Sequence, residues 1–260
     1  MASIILLHGA FTGGWLWRFT AQALDRLGHD VHRPSLTGCG ERAHLLRPEI
    51  SLAMHVQDAA QLLFHEDLDR TLLVGHGYGG LIAQALAHRH SAKVAGVVLL
   101  DGALAERGKC YAEAAGRADL AVRAMPASAD WLVPPPPPES FGLTCREAAR
   151  WLSVRLQPFP RACLTDPYPY GGRGQELPRF LVRTALPGGA KAAPAARAAL
   201  SRVKVVEFQG GPLPMVNQAG TLAELLSGLA GAISPAREAG AGEGSAPTRR
   251  GACRRGGEDL

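Results

Sequence analysis

The residues whose types could do chemistry lie in two glycine-rich segments, each of which follows a short apolar run. The segment from His8 to Thr12 follows Ile4–Leu7, and the segment from His76 to Gly80 follows Thr71–Val74. At the carboxyl end of a parallel strand, backbone N–H groups and a helix N-terminus stabilise developing negative charge. We therefore expect a pocket in which the N–H groups of Ala10 and Tyr78 polarise a carbonyl or hold an enolate, phenolate or carboxylate.

The elements that must position these segments alternate between short apolar runs and longer helical patterns. This alternation is typical of βαβ units, which predicts an α/β fold with a parallel sheet. The strands are predicted at Ile4–Leu7, Asp30–His32, Thr71–Val74, Val94–Leu100, Phe180–Val182 and Val203–Val206. The helices are predicted at about Trp15–Leu27, Leu52–Phe64, Gly79–Ala87 and Ala219–Ala232.

Two stretches depart from this alternation. Between about Ala103 and Arg179 the periodicity is lost, and a long insertion after a strand end indicates a lid over the site, at about residues 103–178. Residues 235–260 are rich in Gly, Ala, Arg and Glu with few large apolar side chains, so we predict a disordered tail. Residues 1–234 then form one domain.

Composition excludes several classes of protein. The chain has 260 residues, 47% of them hydrophobic and 20% charged, which is ordinary for a soluble domain. Its net charge of +5 is scattered rather than clustered, so we expect no nucleic-acid partner. The five cysteines have no paired spacing, which argues against disulfides and against a metal site. No basic leader or membrane-length apolar run is seen, so we expect a cytoplasmic protein without membrane association.

Three segments together resemble the α/β-hydrolase superfamily, and most closely its methylesterase and hydroxynitrile-lyase branch. They are the run from His8 to Trp15, the loop from Leu36 to Arg42, and the strand-to-helix turn from Leu73 to Gly80. The resemblance covers residues 3–103 well, and residues 179–233 by their strand and helix pattern. It implies an α/β-hydrolase fold, with a mostly parallel sheet, helices on both faces and a lid insertion.

The chain departs from that family at the positions of its catalytic groups. The family's nucleophilic serine corresponds to Gly77, and its histidine base corresponds to Pro212, three residues before Met215. All nine histidines lie in the first 90 residues, and no Asp or Glu occurs between Glu176 and Glu207. The resemblance therefore implies a pocket with no group that attacks a carbonyl and no imidazole that shuttles its proton.

From these departures we expect a cofactor-free, non-hydrolytic enzyme of natural product biosynthesis. It would catalyse a rearrangement, cyclisation, C–C bond formation or proton transfer on a hydrophobic aromatic or polyketide-like small molecule. One alternative is a pseudoenzyme that only binds a ligand or a partner protein. A further alternative is residual esterase activity through Cys39 or Asp101, and a homodimer is left open.

The candidate residues are those that the two glycine-rich segments and the lid place near the pocket. The candidate catalytic residues are His8, His76, Tyr78 and Asp101. The candidate substrate-binding residues are Gly9, Ala10, Phe11, Gly77, Trp131, Trp151, Pro212 and Leu213. Structural roles remain open for several of them, because histidines can shape the turns, Asp101 can be structural, and tryptophans can belong to the core.

Overall fold

A six-stranded parallel sheet forms the centre of the molecule in the computed structural model, which describes residues 1–123, 125–143, 145–171, 176–185 and 203–233. The strands of the sheet are β1 (Ser3–Leu7), β2 (Asp30–His32), β3 (Thr71–His76), β4 (Val94–Leu100), β7 (Arg179–Ala185) and β8 (Lys204–Gln209). Their order across the sheet is β2-β1-β3-β4-β7-β8, and every neighbouring pair is parallel. The predicted α/β class and parallel sheet are confirmed, and the predicted tail at 235–260 lies outside the described residues.

Helices cover both faces of this sheet. The longer helices are α1 (Arg18–Arg26), α2 (Leu52–His65), α3 (Gly79–Arg89) and α9 (Ala219–Ile233), and the short α8 (Pro214–Asn217) precedes the last of them. Short 3-10 helices lie at Gly14–Trp17, Gly40–Leu45 and Ser91–Lys93. These bounds confirm the four predicted helices, with differences of a few residues at their ends.

Alternation along each strand explains the two-sided core. In β1, Ile5 and Leu7 pack into the apolar cluster that contains α2 and α3. Ile4 and Leu6 pack into the opposite cluster, which contains α1 and α9. Because successive strand side chains point to opposite faces, a continuous apolar run is what a strand covered on both sides requires. This burial fixes the register of β1 against β3, in which Leu6 pairs with Val74.

The chain between β4 and β7 forms the predicted insertion, and we call its described residues from 103 to 178 the lid. The lid contains α4 (Tyr111–Ala114), α5 (Asp119–Val122), β5 (Leu132–Val133), α6 (Arg146–Ser153), β6 (Phe159–Pro160) and α7 (Arg161–Thr165). It also has 3-10 helices at Ala127–Ala129 and Pro138–Phe141, and β5 pairs antiparallel with β6.

One residue joins the lid to the loops beneath it. The backbone N–H of Gln157 donates to the Phe11 carbonyl at 3.1 Å, and its side-chain amide donates to the Gly38 carbonyl at 2.7 Å. These two bonds tie the lid to the loop after β1 and to the loop after β2.

Among the described helices, none has both the length and the apolarity that a bilayer span needs.

Candidate functional site

A cavity of about 190 Å³ lies between the carboxyl ends of the central strands and the lid. In α/β proteins this edge of the sheet is where ligands bind, because the loops that leave parallel strands converge there. The sheet side of the cavity is formed by Gly9, Ala10, Phe11, Thr12, His76, Gly77, Tyr78, Asp101 and Pro212. The lid side is formed by Tyr111, Arg117, Leu120, Pro136, Ser140 and Phe141.

The turn between β3 and α3 has the sharp geometry that the sequence predicts. Gly77 has a φ of +52°, in the left-handed region, and its N–H donates to the Leu100 carbonyl at 3.1 Å. A Cβ on Gly79 would lie 2.5 Å from the Leu7 carbonyl oxygen, so glycine there lets the start of α3 pack against β1. The turn therefore presents residue 77 at the floor of the cavity with no side chain on it.

Two backbone N–H groups at this floor have no acceptor in the described parts of the chain. They belong to Ala10, in the loop after β1, and to Tyr78, just before the first turn of α3. Both residues line the cavity. Because α3 begins directly after Tyr78, its dipole adds to the attraction that these groups exert on negative charge. That they polarise a carbonyl oxygen stays a prediction.

His8 holds the loop after β1 in place through two hydrogen bonds. Its Nδ1 donates to the Gly9 carbonyl at 2.8 Å, and its Nε2 accepts the Leu36 N–H at 3.1 Å. Burial lowers the pKa of His8 to about 4, so the ring is neutral at pH 7. Both ring nitrogens are occupied and His8 is not among the cavity-lining residues, so the structure places this predicted catalytic residue under the loop rather than in the cavity.

His76, the last residue of β3, does line the cavity. The backbone carbonyl of Pro212 raises the pKa of the His76 ring, which favours a proton on the ring nitrogen that faces this carbonyl. Its Nδ1 has no partner in the described structure. Gly9 allows this nitrogen to lie close to the loop after β1, since a Cβ on Gly9 would be 2.9 Å from it.

The charge state of His76 follows from its surroundings. Burial lowers its pKa below the ordinary value of 6.5, while the negative charge of Asp101 and the backbone of Pro212 partly oppose that change. The ring is therefore neutral at pH 7, with a lone pair on one nitrogen. The structure places His76, one of the predicted catalytic residues, in the lining of the cavity, whereas the loop that carries Pro212 contributes no imidazole to it.

Asp101 follows β4 and also lines the cavity. Its backbone is in the left-handed region with a φ of +46°, a strained conformation for a residue with a side chain. Thr184 holds the carboxylate in place, since its N–H donates to Oδ1 at 2.9 Å and its hydroxyl donates to Oδ2 at 2.6 Å. The structure thus gives Asp101 a fixed position in which its charge acts on His76.

The side chain of Tyr78 leads away from the cavity floor into a buried polar cluster. His55 donates from Nε2 to the Thr37 carbonyl at 3.0 Å, so its Nδ1 accepts the Tyr78 hydroxyl at 3.0 Å. Burial raises the pKa of Tyr78 and lowers the pKa of His55 to about 4, so both are neutral. The hydroxyl of Tyr78 is therefore engaged in the core, and the part of this residue available to a ligand is its backbone N–H.

Other predicted residues lie outside the cavity lining. The ring of Trp151 packs edge-on against Trp15 at 5.0 Å, and Leu213 is fully buried in the core beside α9. The carbonyl of Trp131 accepts the Arg161 N–H at 2.7 Å in the middle of the lid. Cys39 is 1% exposed and burial raises its pKa, so its thiol stays protonated and is a poor nucleophile.

The lid residues of the cavity were not predicted from the sequence. Tyr111 and Arg117 are the polar members with long side chains, and Leu120 and Phe141 are the large apolar ones. Short helices of four residues give no periodic signal, so the sequence indicates only that a lid exists. In the part of the chain that the structure describes, no group of three or more His, Cys, Asp or Glu side chains is arranged to hold a metal ion.

Comparison with known proteins gives relatives by sequence. Residues 4–225 match the alpha/beta hydrolase family. A carbendazim-hydrolyzing esterase from Nocardioides is 43% identical over 108 residues, which are 42% of this chain and 45% of that esterase. A pyrethroid hydrolase from Sphingobium wenxiniae is 32% identical over 110 residues, which are 42% of this chain and 38% of that hydrolase. The aligned part spans less than half the length of either curated relative.

Solved structures agree on the fold. An extracellular alpha/beta-hydrolase from a Paenibacillus species has a TM-score of 0.75 at 19% identity, covering 88% of this chain and 98% of that one. An Arabidopsis methylesterase has a TM-score of 0.67 at 20% identity, covering 89% of this chain and 99% of that one. These similarities confirm the predicted α/β-hydrolase fold.

The same comparisons correct the predicted function. A non-hydrolytic lyase, isomerase or cyclase is the wrong expectation, because the relatives by sequence are named esterases and hydrolases. The prediction took Gly77 and Pro212 together as the loss of hydrolysis, although the absence of a nucleophilic side chain removes only a covalent route.

The family assignment rests on sequence and structure together. The family match spans most of the chain, including all six strands of the sheet and the whole lid. The solved structures share the fold of this chain over nearly their entire length. The chain belongs to the alpha/beta hydrolase family.

Proposed function

We propose that this protein hydrolyses a carboxylic ester of a small molecule by adding water directly to the acyl carbon, with His76 as the general base. The observation that carries the proposal is the His76 imidazole, which is neutral at pH 7 and lines the cavity. It lines the same cavity as Ala10 and Tyr78, whose N–H groups have no acceptor among the described residues. A base next to a carbonyl-polarising site is the minimum that ester hydrolysis requires.

The covalent route used by serine hydrolases has no nucleophile here. We infer that Gly77 stands at the elbow position where the family carries its serine, and that Pro212 stands where it carries its histidine. Neither residue has a group that can attack or accept a proton. Gly77 contributes no side chain to the cavity that it lines, and we place the attacking water there. Water then takes the role of the serine hydroxyl.

The reaction follows from the positions of the surrounding groups. His76 accepts a proton from the water as the water oxygen bonds to the acyl carbon, and the N–H groups of Ala10 and Tyr78 stabilise the oxyanion that forms. When the bond to the leaving oxygen breaks, that oxygen takes the bonding electrons and then the proton from His76. The products are one carboxylic acid and one alcohol. Asp101 stabilises the transient imidazolium by its charge.

Each of these groups contributes a known order of magnitude to the rate of hydrolysis. A positioned general base accelerates such reactions by about 10²–10⁴-fold, and one oxyanion donor contributes about 10²–10³-fold. The apolar walls formed by Phe11, Leu120 and Phe141 favour an apolar acyl or alcohol group. The volume of about 190 Å³ favours a small one. The esterase and hydrolase names of the relatives support the same reaction class.

Turnover combined with intact-mass measurement tests the proposal. The purified chain should hydrolyse p-nitrophenyl butyrate above the buffer rate, and its mass should stay unchanged after incubation with a fluorophosphonate probe. The probe reacts with activated serines, so a serine esterase labelled in parallel serves as the positive control. A rate equal to that of buffer, or a stoichiometric phosphonyl adduct on the chain, would refute direct hydrolysis by water.

A further inference from the structure

We propose that Tyr111, at the start of the first lid helix, donates a hydrogen bond to the leaving-group oxygen of the substrate. The inference rests on the proposed ester hydrolysis and adds a residue from the lid to it. It assigns a role in the reaction to a side chain of the lid, in addition to the residues at the strand ends. The reaction needs such a donor, because the leaving oxygen carries negative charge until the proton arrives from His76.

The position of the Tyr111 ring is fixed by its neighbours. Cys110 precedes α4, and its N–H is bonded by the Glu113 carboxylate at 2.9 Å, which secures the first turn of the helix. The ring packs edge-on against the Tyr78 ring, with 5.8 Å between centroids and 83° between planes. Tyr111 is only 9% exposed. A ring held in this way keeps its hydroxyl in one place.

That hydroxyl lies in the space above the elbow. A Cβ on Gly77 would be 3.3 Å from it, which makes it the nearest group to a side chain at that position. Tyr111 lines the cavity opposite the floor formed by Ala10 and Tyr78. Of the hydrogen bonds found among the described residues, none involves this hydroxyl. A donor without an acceptor at the reacting position is suited to bind an oxygen of the substrate.

The protonation state of Tyr111 suits a hydrogen-bond donor and not a general base. Burial raises the pKa of Tyr111 to about 12, so its phenol stays protonated at neutral pH. The negative charge of Asp101 acts in the same direction, and Arg117 opposes it. Tyr111 therefore keeps its proton throughout the reaction. It stabilises the departing alkoxide by a hydrogen bond, and the proton that ends on that oxygen comes from His76.

A comparison of leaving groups tests this role. Tyr111→Phe keeps the ring and removes the hydroxyl, and Tyr170→Phe makes the same change on a lid tyrosine outside the cavity. Methyl butyrate should lose about 10–100-fold in kcat in Tyr111→Phe, since a hydrogen bond to a charged group is worth that range. p-Nitrophenyl butyrate, whose leaving group needs little stabilisation, should lose less than threefold. Equal losses on both esters would refute the role of Tyr111 while leaving hydrolysis by His76 intact.

A binding measurement provides a readout that does not depend on turnover. p-Nitrophenolate is the charged product of the aryl ester and offers Tyr111 the same oxygen. Titrated by calorimetry above pH 8, it should bind Tyr111→Phe about tenfold more weakly than the wild type, and Tyr170→Phe as tightly as the wild type. The inference is refuted if p-nitrophenolate binds all three proteins equally, or if it binds none of them.

Discussion

His76 and Pro212 line the same cavity, and the backbone of Pro212 raises the pKa of the His76 imidazole. The two residues come from different ends of the chain, one from the last position of β3 and the other from the loop after β8. From the sequence, the position of the catalytic histidine is expected on the loop that carries Pro212, and the structure places the histidine that ends β3 in the same cavity as this loop. An imidazole thus reaches the cavity although its expected position holds a proline.

The pH dependence of hydrolysis should reflect the neutral state of His76. Its pKa is lowered from the ordinary 6.5, and a base works only when deprotonated. We expect the midpoint of the acid limb of kcat/KM to lie below pH 6.5. Stopped assays with p-nitrophenyl butyrate at a series of pH values measure this. A midpoint above pH 6.5 would contradict the assignment of His76 as the base.

Asp101→Asn should weaken this base. Asp101 raises the pKa of His76 through its charge, and Asn keeps the left-handed backbone without that charge. We expect kcat to fall about 10–100-fold and the acid limb of the profile to move to lower pH. Thr184→Val serves as the control, because it removes one hydrogen bond to the carboxylate and leaves its charge. An acid limb that does not move in Asp101→Asn would show that its charge does not act on His76.

Arg161 should hold the lid together. Its guanidinium donates to the carbonyls of Ala121 at 2.7 Å, Asp130 at 2.8 Å, Arg123 at 2.9 Å and Leu132 at 3.0 Å. Lysine has a single ammonium group and cannot reach all four acceptors. Arg161→Lys should therefore speed hydrogen exchange in residues 120–135 at least tenfold relative to residues 94–100.

Arg155→Lys is the matched control for the lid, since Arg155 bonds only the Trp151 carbonyl among the hydrogen bonds described. It should leave exchange in the same lid peptides unchanged. Unchanged exchange in Arg161→Lys as well would mean that the four carbonyl bonds do not organise this part of the lid.

The buried histidines should make the protein sensitive to acid. Burial lowers the pKa of His8 and His55 to about 4, from 6.5 in the unfolded chain. Between these values the unfolded state binds more protons, so the free energy of unfolding falls as the pH falls, by about 1.4 kcal/mol per pH unit for each histidine. His55→Gln should reduce that slope by one proton in urea titrations from pH 6.5 to 4.5. The exposed His65→Gln, on the same helix, should keep the slope of the wild type.

The sequence predicted the strands, the long helices and the floor of the cavity, because apolar periodicity and glycine-rich turns are local signals. Ala10, Gly77 and Asp101 could be placed at the strand ends for this reason. The lid could not be treated in the same way, because Tyr111 enters the cavity through packing against Tyr78 and the sequence carries no sign of that contact. Trp151 is the opposite case. Its aromatic side chain suggested a residue that lines the ligand pocket, but its ring packs on Trp15 instead.

The most direct test of the account is the rate of hydrolysis in His76→Gln. Glutamine approximates the size of the imidazole and cannot act as a base, and His44→Gln, at an exposed position, is the matched control. Circular dichroism and thermal unfolding establish that both variants are folded. With p-nitrophenyl butyrate at pH 7.5, we predict a loss of about 10²–10⁴-fold in kcat for His76→Gln and no change for His44→Gln. A folded His76→Gln that retains the wild-type rate would contradict the account.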